Sequence, residues 1–289
     1  MPKRIRKAIF PVAGLGTRFL PAAKAVPKEM LTIVDRPILQ YVVEEARAGG
    51  IEHCIFVTGR NKGAIEDHFD SQFELERTLA ERGKTAELEA LMRDLPRPGQ
   101  TSFTRQQAPL GLGHAVWCAR DIVGNEPFAL LLPDVLHYAE RPCIGEMIEA
   151  YAANPGNYIA VAPVPADQAH QYGIVGVENA AAKSSRVTQM VEKPKAGTAP
   201  SNLHITGRYI LEPEIFGILE AGERGAGGEI QITDAMIRLA ATRPFYAFRF
   251  DGTIYDCGSK IGFLAANVAY ALARKDLAPA LRAELGKLL

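Results

Sequence analysis

A turn with two glycines near the N-terminus is followed closely by positive side chains. The apolar run Lys7–Val12 leads directly into Gly14 and Gly16. The cations that follow are Arg18, Lys24 and Lys28. Backbone N–H groups exposed in such a turn bind anions, and several cations beside them suit a polyphosphate better than a lone carboxylate. An ordinary strand-to-helix turn with solvated lysines is the alternative, and the whole run favours a phosphate-binding loop.

Two common nucleotide-binding loops do not fit this segment. The dinucleotide-binding fingerprint needs a third glycine for close packing of helix on strand, and Phe19 stands in its place. Pro21 and Pro27 also prevent a helix from beginning directly after the turn. The nucleoside-triphosphatase loop fails because no Gly-Lys-Ser/Thr follows. A nicotinamide-dependent oxidoreductase is therefore disfavoured.

Two aspartates follow β-like runs and are candidate metal ligands. Asp134 ends an apolar strand, and Asp256 follows the run Gly252–Tyr255. Ligands of open parallel sheets bind at the carboxyl ends of the strands. Magnesium takes oxygen ligands but keeps waters and shares substrate phosphates, so one or two carboxylates suffice. An aspartate after a strand also commonly caps a turn, and the residues alone leave both interpretations open.

Glu29, Gln106 and Gly111 are candidates for contacting a base. A glutamine offers a donor and acceptors, while a glutamate accepts from an imide N–H, a combination that suits uracil or thymine. A glycine at 111 would let a base approach the backbone. Taken alone, Gln106 is better explained as an ordinary polar residue at the end of a strand.

Glu192 and Lys193 end a predicted strand that Pro194 terminates, so both side chains are expected to turn into one cleft. Lys193 would hold a sugar phosphate as a point charge, and Glu192 would accept hydrogen bonds from sugar hydroxyls. Gly173 would let a sugar ring lie against bare backbone. The alternative is an exposed edge pair of little energetic value.

The elements that must position these side chains alternate between strands and helices. The predicted main strands are Lys7–Val12, His53–Thr58, Ser102–Arg105, Phe128–Leu132 and Tyr158–Val164. Shorter strands are predicted at Gly173–Val177, Arg186–Glu192, His204–Leu211 and Phe245–Phe250. Helices are predicted at Pro37–Ala48, Lys62–Phe69, His114–Asp121 and Pro142–Ala153. This alternation indicates an α/β fold with a mixed, mostly parallel sheet flanked by helices.

Three further segments carry local predictions. The charge-rich stretch 73–95, broken at Gly83, is expected to be an inserted helical pair. Thr233 is expected to cap a helix that begins at Asp234. The tail 261–289 is expected to be helical with a break near Pro279.

Composition limits the function classes. The chain has 289 residues, 47% of them hydrophobic, and a formal net charge of +0, so no global field would hold it on nucleic acid or an acidic membrane. The basic N-terminus leads into a short strand without the features of a signal peptide, which predicts a cytoplasmic protein. The histidines show no metal-ligand spacing, and His114 and Cys257 are expected to have structural and packing roles.

Motifs along nearly the whole chain resemble those of the nucleotide-sugar pyrophosphorylases. They are Gly14-Leu15-Gly16-Thr17-Arg18, Pro27-Lys28-Glu29-Met30, Phe73-Glu74-Leu75-Glu76, Gly111-Leu112-Gly113-His114, Leu132-Pro133-Asp134, Tyr172-Gly173, Val191-Glu192-Lys193-Pro194, Pro200-Ser201-Asn202-Leu203, Gly228-Glu229-Ile230-Gln231 and Tyr255-Asp256-Cys257-Gly258. Their number and order make the resemblance specific. The stretch 107–110 departs from the family by lacking a basic residue.

The resemblance implies a single Rossmann-like nucleotidyltransferase domain, similar to the glycosyltransferase-A fold. Residues 1–135 would form a nucleotide-binding half with the insert 73–95, residues 136–260 a sugar-phosphate-binding half, and residues 261–289 C-terminal helices. The implied reaction joins UTP and glucose 1-phosphate into UDP-glucose and pyrophosphate with Mg²⁺. A dimeric or tetrameric homo-oligomer is also implied. A dTTP-using enzyme of the same family and a non-catalytic sugar-nucleotide-binding regulator are the alternatives, and the insert favours the UTP-using branch.

The resemblance also assigns roles to individual residues. The implied catalytic cations are Arg18, Lys28 and Lys193. The implied nucleotide-binding residues are Ala13, Gly14, Gly16, Glu29, Gln106 and Gly111. The implied sugar-binding residues are Gly173, Glu192 and Lys193, and the implied metal ligands are Asp134 and Asp256. No acid–base residue is required, because a phosphate monoester is already an anion near neutral pH.

Overall fold

A nine-stranded mixed sheet forms the centre of the computed structural model, which describes residues 3–288 apart from the side chain of Ala226. The strands are β1 (Lys7–Pro11), β2 (Thr32–Ile33), β3 (Arg36–Pro37), β4 (His53–Thr58), β5 (Thr101–Arg105), β6 (Phe128–Leu131), β7 (Val135–Tyr138), β8 (Asn157–Pro163), β9 (Gly173–Val177), β10 (Ser184–Glu192), β11 (Leu203–Leu211), β12 (Phe245–Arg249) and β13 (Thr253–Asp256). The helices are α1 (Ile38–Ala48), α2 (Gly63–His68), α3 (Phe73–Glu81), α4 (Thr85–Asp94), α5 (Leu112–Trp117), α6 (Arg120–Val123), α7 (Cys143–Ala153), α8 (Ile215–Glu220), α9 (Ile232–Ala240), α10 (Lys260–Ala273) and α11 (Ala278–Leu288).

The strand order of the main sheet is β5-β4-β1-β6-β11-β8-β12-β10-β9. Strands β5, β4, β1 and β6 are parallel, as are β8 and β12, whereas β9, β10 and β11 pair antiparallel with their neighbours. The expected mixed α/β sheet is confirmed, but it is not mostly parallel. Within residues 3–288, four pairings of the main sheet are parallel and five are antiparallel, and the parallel pairs are concentrated in the first half of the chain. The turn that connects β9 to β10 is too short for a parallel crossover, so these two strands pair antiparallel.

Apolar side chains fill both faces of the sheet. Along β1, Ile9 lies in one core cluster and Phe10 in the other, and Ile55 and Phe56 divide in the same way on β4. All four are fully buried. Successive strand residues point to opposite faces, so these strands are covered on both sides by helices. The covered sheet is a rigid base from which the loops at the carboxyl ends of β1, β4 and β6 extend.

Most predicted elements are observed, and three differ in detail. The predicted helix His114–Asp121 is two short helices, α5 and α6. Helix α9 begins at Ile232, and the hydroxyl of Thr233 donates to Glu192 rather than capping the helix. The C-terminal break falls between Ala273 and Ala278, and Pro279 lies in the first turn of α11, where its missing N–H is not needed.

The inserted helical pair is observed as α3 and α4, with Gly83 between them in the left-handed region at φ 65°. Within residues 3–288, no helix combines the length and the apolar composition that crossing a bilayer requires.

Candidate active site

The glycine turn after β1 packs against the segment that carries Lys28. Val12 continues the strand by donating its N–H to the carbonyl of Val57 at 2.9 Å. Gly16 has φ 67°, and a Cβ atom there would lie 3.2 Å from Lys28 Cβ. Glycine is therefore needed at 16 both for the left-handed turn and for the close approach. The turn and Lys28 form one local unit.

A cavity of about 360 Å³ opens beside this turn. Ala13, Gly14, Gly16, Gln106 and Gly111 line it, so the structure brings together all the predicted nucleotide-binding residues except Glu29. The sequence interpretation gave no role to Glu229, which also lines this cavity. The motif Gly228-Glu229-Ile230-Gln231 was the available signal for that residue.

Gln106 is held in place by two contacts. Its side-chain nitrogen donates to the carbonyl of Gly111 at 2.9 Å and contacts His114 Nδ1 at 3.1 Å. Because that nitrogen is the donor, Nδ1 must be the unprotonated ring nitrogen. Burial lowers the pKa of His114, which agrees with a neutral ring. The expected structural role of His114 thus has a geometric basis: it orients Gln106.

Gly111 has a different reason to be glycine from the one the sequence suggests. Its φ is 111°, and a Cβ atom would lie 2.8 Å from the carbonyl oxygen and 2.9 Å from the nitrogen of Ile230. Ile230 is fixed there, since it donates to Leu110 at 2.7 Å and accepts from Gly113 at 2.8 Å. The space that a side chain would fill at 111 is taken by the 229–230 segment, not left open for a base.

Glu29 lies away from this cavity. It is 1% exposed, and its Oε2 lies 2.8 Å from Nζ of Lys62, another buried residue. Burial raises the pKa of Glu29 against the opposing effect of Lys62. The short turn Lys28–Met30 directs neighbouring side chains apart, so Lys28 faces the carboxylates and Glu29 faces the interior. Base recognition by Glu29 therefore stays a prediction without support from the cavity geometry.

The two predicted metal ligands lie close together although they are far apart in sequence. Strand β13 pairs antiparallel with β7, with Asp256 opposite Val135, the residue after Asp134. A Cβ atom on Gly258 would lie 2.9 Å from Asp256 Oδ1 and 3.0 Å from Asp134 Oδ2. It would also lie 3.4 Å from Arg18 Nη1. The bare backbone of Gly258 thus leaves a space enclosed by two carboxylates and a guanidinium.

The donor set of this space fits Mg²⁺. It consists of carboxylate oxygens, and residues 3–288 include no cluster of three or more His, Cys, Asp or Glu side chains arranged around a metal position. Two carboxylates suit an ion that retains waters and shares phosphate oxygens. Cys257 is buried, and burial together with Asp256 and Asp134 raises the pKa of its thiol to about 12. A neutral thiol packs and does not bind a metal, as expected for this residue.

Lys28 connects the glycine turn to the carboxylates. Its Nζ lies 2.5 Å from Asp134 Oδ2, and both side chains are less than one-fifth exposed. Burial opposes the charge of the ammonium group, but Asp134 and Glu29 outweigh it and raise the pKa of Lys28. Lys28 is therefore a fixed cation at neutral pH.

A second cavity, of about 400 Å³, borders the carboxylates on the other side. Arg18, Asp134 and Asp256 line one part of it, and Tyr172 and His204 line another. The rings of Tyr172 and His204 lie 4.7 Å apart. Burial lowers the pKa of His204, so the cavity wall is an uncharged aromatic surface at neutral pH. The sequence signal for Tyr172 was its place before Gly173 in a recognised motif. The only sequence signal for His204 was its position in the strand that is observed as β11.

Gly173, Glu192 and Thr233 form one contact group near this second cavity. Gly173 pairs with Glu192 in the β9–β10 ladder, and Thr233 donates its hydroxyl to Glu192 Oε2 at 2.9 Å. A Cβ atom on Gly173 would lie 3.0 Å from that same oxygen and 3.0 Å from Ile205 Cδ1. The open face of Gly173 therefore accommodates Glu192, which corrects the expectation of bare backbone beneath a sugar ring.

Lys193 is exposed and lines neither cavity, and its backbone is unusual. Its φ is 45°, in the left-handed region that disfavours side chains, and its N–H donates to the carbonyl of Tyr172 at 3.1 Å. Residues held in such unfavourable backbone conformations cluster at functional sites. The backbone of Lys193 is thus held beside that of Tyr172.

The sequence matches the family described as nucleotidyl transferase over residues 7–272. It is 50% identical over 275 residues to a UTP–glucose-1-phosphate uridylyltransferase of Bacillus subtilis (strain 168), covering 95% of this chain and 94% of the relative. A solved structure of a UTP-bound UGPase from Acinetobacter baumannii superposes with a TM-score of 0.92 at 43% identity, covering 99% of this chain and 100% of that chain. A UDP-glucose pyrophosphorylase complexed with UDP-glucose gives a TM-score of 0.83 at 40% identity, covering 93% and 100%.

Proposed function

Because the chain belongs to the nucleotidyl transferase family, we propose that it is a UTP–glucose-1-phosphate uridylyltransferase. It joins UTP and glucose 1-phosphate to give UDP-glucose and pyrophosphate. The observation that carries the proposal is the meeting of the glycine turn, Arg18, Lys28 and the carboxylates of Asp134 and Asp256. They meet in a chain that is half identical, over nearly its full length, to an enzyme of that name.

The chemistry needs no general base. The attacking oxygen belongs to a phosphate monoester, whose second pKa is about 6, so the nucleophile is already an anion at neutral pH. That oxygen attacks the α-phosphorus of UTP, and pyrophosphate leaves in line. The obstacle is repulsion between two anionic reactants, so catalysis consists of positioning and charge neutralisation.

Arg18 and Lys28 supply that neutralisation. Lys28 Nζ lies 2.5 Å from Asp134 Oδ2, and Arg18 lines the second cavity together with Asp134 and Asp256. In this position they would stabilise the leaving pyrophosphate, and the N–H groups of the Gly14–Gly16 turn would hold the other phosphate oxygens. Mg²⁺, held by Asp134 and Asp256, would add a divalent charge that polarises the α-phosphoryl group.

We assign the two substrates to the two cavities. The uracil end of UTP would occupy the cavity beside Gln106, which is lined mainly by residues of the half 1–135 and also by Glu229. Glucose 1-phosphate would occupy the cavity beside Tyr172, with Lys193 on its phosphate and Glu192 on its hydroxyls. This cavity is lined mainly by residues of the half 136–260 and also by Arg18 and Asp134. The carboxylates then lie between the reacting phosphates.

A pyrophosphate-release panel tests the function. Purified protein with Mg²⁺ is offered UTP, dTTP, ATP, CTP or GTP with glucose 1-phosphate, and then UTP with galactose 1-phosphate. UTP with glucose 1-phosphate should be turned over fastest. dTTP should be a weaker substrate, because it carries a methyl group worth only about 1–3 kcal/mol on the base and also lacks the ribose 2′-hydroxyl of UTP. Tight UDP-glucose binding without pyrophosphate release from any pair would instead indicate a regulatory protein.

We also propose a homo-oligomer acting in the cytoplasm, where nucleoside triphosphates are used for synthesis. Exposed apolar side chains support assembly: Leu20, Ile261 and Leu264 are 53%, 78% and 58% exposed. Leu20 and Leu264 border one groove with Phe19 and Phe263. Light scattering after size exclusion should give a dimer or tetramer, and Leu264→Glu should shift the mass towards the monomer.

A further inference from the structure

Arg208 is a fully buried charged residue in the middle of strand β11. Its side chain is 0% exposed. The pairing of β11 with β8 shifts between Ile205 and Tyr209, so Arg208 lies in an irregular part of the strand. Such irregularities redirect a side chain from the position that regular pleating would give it.

The guanidinium of Arg208 holds both ends of the turn that carries Asp134. Its Nη1 donates to the carbonyl of Leu132 at 3.0 Å, and its Nη2 donates to the carbonyl of Val135 at 2.8 Å. The backbone of the same strand adds a third connection, since Leu132 donates its N–H to Gly207 at 2.9 Å. The backbone on either side of Asp134 is therefore fixed by one side chain.

The guanidinium is itself anchored to two helices. Glu45 on α1 accepts from Arg208 Nη2 at 2.7 Å and from Nε at 3.1 Å. The other carboxylate oxygen of Glu45 accepts from the N–H of Ile144, in the first turn of α7, at 3.3 Å. The planar arrangement of five N–H donors lets Arg208 serve the carboxylate and two carbonyls together, which a lysine ammonium group cannot reproduce.

We propose that Arg208 is a positioning residue that sets where Asp134 stands relative to Asp256. It acts through the backbone at Leu132 and Val135, and it touches neither substrate nor reacting atoms. Because Val135 pairs with Asp256 across the β7–β13 ladder, fixing its carbonyl also fixes the register that brings the two carboxylates together. The consequence for catalysis rests on the proposed function, whereas the consequence for divalent-ion binding does not.

Arg208→Lys keeps the positive charge and removes the planar set of donors. Mn²⁺ binding is measured by the decrease in the electron paramagnetic resonance signal of the free ion. In Arg208→Lys the affinity for Mn²⁺ should fall by about 10-fold or more, as is typical when a partner of a metal ligand is lost. The Mg²⁺ concentration for half-maximal pyrophosphate release should rise in parallel. At saturating Mg²⁺ the KM for glucose 1-phosphate should stay within about twofold of wild type, because no substrate-binding group is changed.

Tyr151→Phe is the matched control for general destabilisation. It removes a 3.1 Å hydrogen bond from α7 to Glu212 and leaves the residues from Leu132 to Val135 untouched. Tyr151→Phe should bind Mn²⁺ as wild type does. If it weakens Mn²⁺ binding as much as Arg208→Lys at the same thermal transition, or if Arg208→Lys binds Mn²⁺ normally, the proposal is wrong.

Glu45→Gln decides the matter if Arg208→Lys does not fold. It keeps the shape of the side chain and removes the charge that anchors the guanidinium, so Mn²⁺ binding should again weaken, and wild-type binding would overturn the proposal. Failure of the proposed function has a different signature. In that case wild-type protein would release no pyrophosphate from UTP, while the variants would still differ from it in Mn²⁺ binding.

Discussion

Lys28 Nζ lies 2.5 Å from Asp134 Oδ2, so a proposed catalytic cation neutralises a proposed metal ligand in the protein without ligands. Glycine at 16 makes this contact achievable, because any side chain there would press on Lys28. A divalent ion arriving at Asp134 must compete with the ammonium group. Released from the carboxylate, Lys28 would be free to meet the phosphates of UTP.

Lys28→Met should therefore have opposite effects on metal binding and on turnover. Without nucleotide, Mn²⁺ should bind more tightly by on the order of 1 kcal/mol, about fivefold in Kd, because its competitor is gone. The kcat for pyrophosphate release should fall about 100-fold or more, since a donor to developing charge is lost. Lys24→Met, which removes an exposed cation nearby, should change neither quantity greatly. Weaker Mn²⁺ binding in Lys28→Met would contradict the competition.

Gly258→Ala should damage the metal site by filling the space between the carboxylates. The added Cβ would lie 2.9 and 3.0 Å from their oxygens, closer than ordinary contact allows, so both groups must move. We expect Mg²⁺-dependent turnover to fall about 10- to 100-fold, as when metal ligands are displaced. Gly217→Ala is the control. Gly217 lies in helix α8, and a Cβ atom added there would have no neighbouring atom within 4 Å, so this substitution should stabilise the fold by about 0.5–1 kcal/mol. Normal Mg²⁺ dependence in Gly258→Ala would exclude this space as the metal site.

Lys193→Ala should act selectively on the sugar phosphate. Loss of a charged hydrogen bond costs about 1.5–3 kcal/mol, so kcat/KM for glucose 1-phosphate should fall by about one to two orders of magnitude. The KM for UTP should change little, because Lys193 lies beside Tyr172 and away from the cavity of Gln106. Steady-state kinetics with each substrate varied in turn measures both. A selective loss of UTP affinity would reverse the assignment of the two cavities.

His137 should make the protein less stable in acid. Its Nε2 lies 3.0 Å from the Thr206 hydroxyl, which itself donates to Ala160, so Nε2 carries the proton and the buried Nδ1 has no hydrogen-bond partner in residues 3–288. Burial lowers the pKa of His137 well below its usual range, and Arg208 and His204 act in the same direction. Below pH about 6.5, the usual pKa of histidine, protonation of His137 favours the unfolded chain and lowers the stability of the fold. Well above that pH, His137 is neutral in both states and does not make stability depend on pH.

The comparison of wild type with His137→Asn isolates this contribution. Between pH 7.5 and pH 5.5, the unfolding free energy of wild type should fall by about 1.4 kcal/mol more than that of the variant. This is the effect of going about one pH unit below the pKa of histidine in the unfolded chain. Urea unfolding at both values measures the difference, and other titrating groups cancel because both proteins share them. Parallel pH dependence in the two proteins would show that His137 is protonated in the folded state as well.

Local patterns predicted the central strands well, because their signals are strong. The run around Ile55 and Phe56 is apolar without interruption and is observed as β4, buried on both faces. The short strand β7 follows Asp134 and is only half buried, so its few residues carry no periodic signal. Thr233 has the right side chain for a helix cap, but a tertiary contact with Glu192 engages its hydroxyl.

The types of residue in the site were predictable, whereas their directions were not. The anion-binding turn and the two aspartates follow from strand ends and glycine positions. The burial of Glu29 depends on Lys62, a partner far along the chain that no local pattern relates to it. Arg208 gave only an indirect signal, a single arginine inside a largely buried strand, and its contacts with Glu45 and Val135 are visible only in the folded protein.

Asp256 comes from β13, which lies after every strand of the nine-stranded sheet in the chain. A product that ends just before Asp256 would thus contain every strand of this sheet and the glycine turn, but it would lack one of the paired carboxylates. During translation, ribosomes must pass position 256 before a newly made copy holds both carboxylates of the proposed metal site. Products that stop before Asp256 would lack this carboxylate together with helix α10, whose Ala266 belongs to the core.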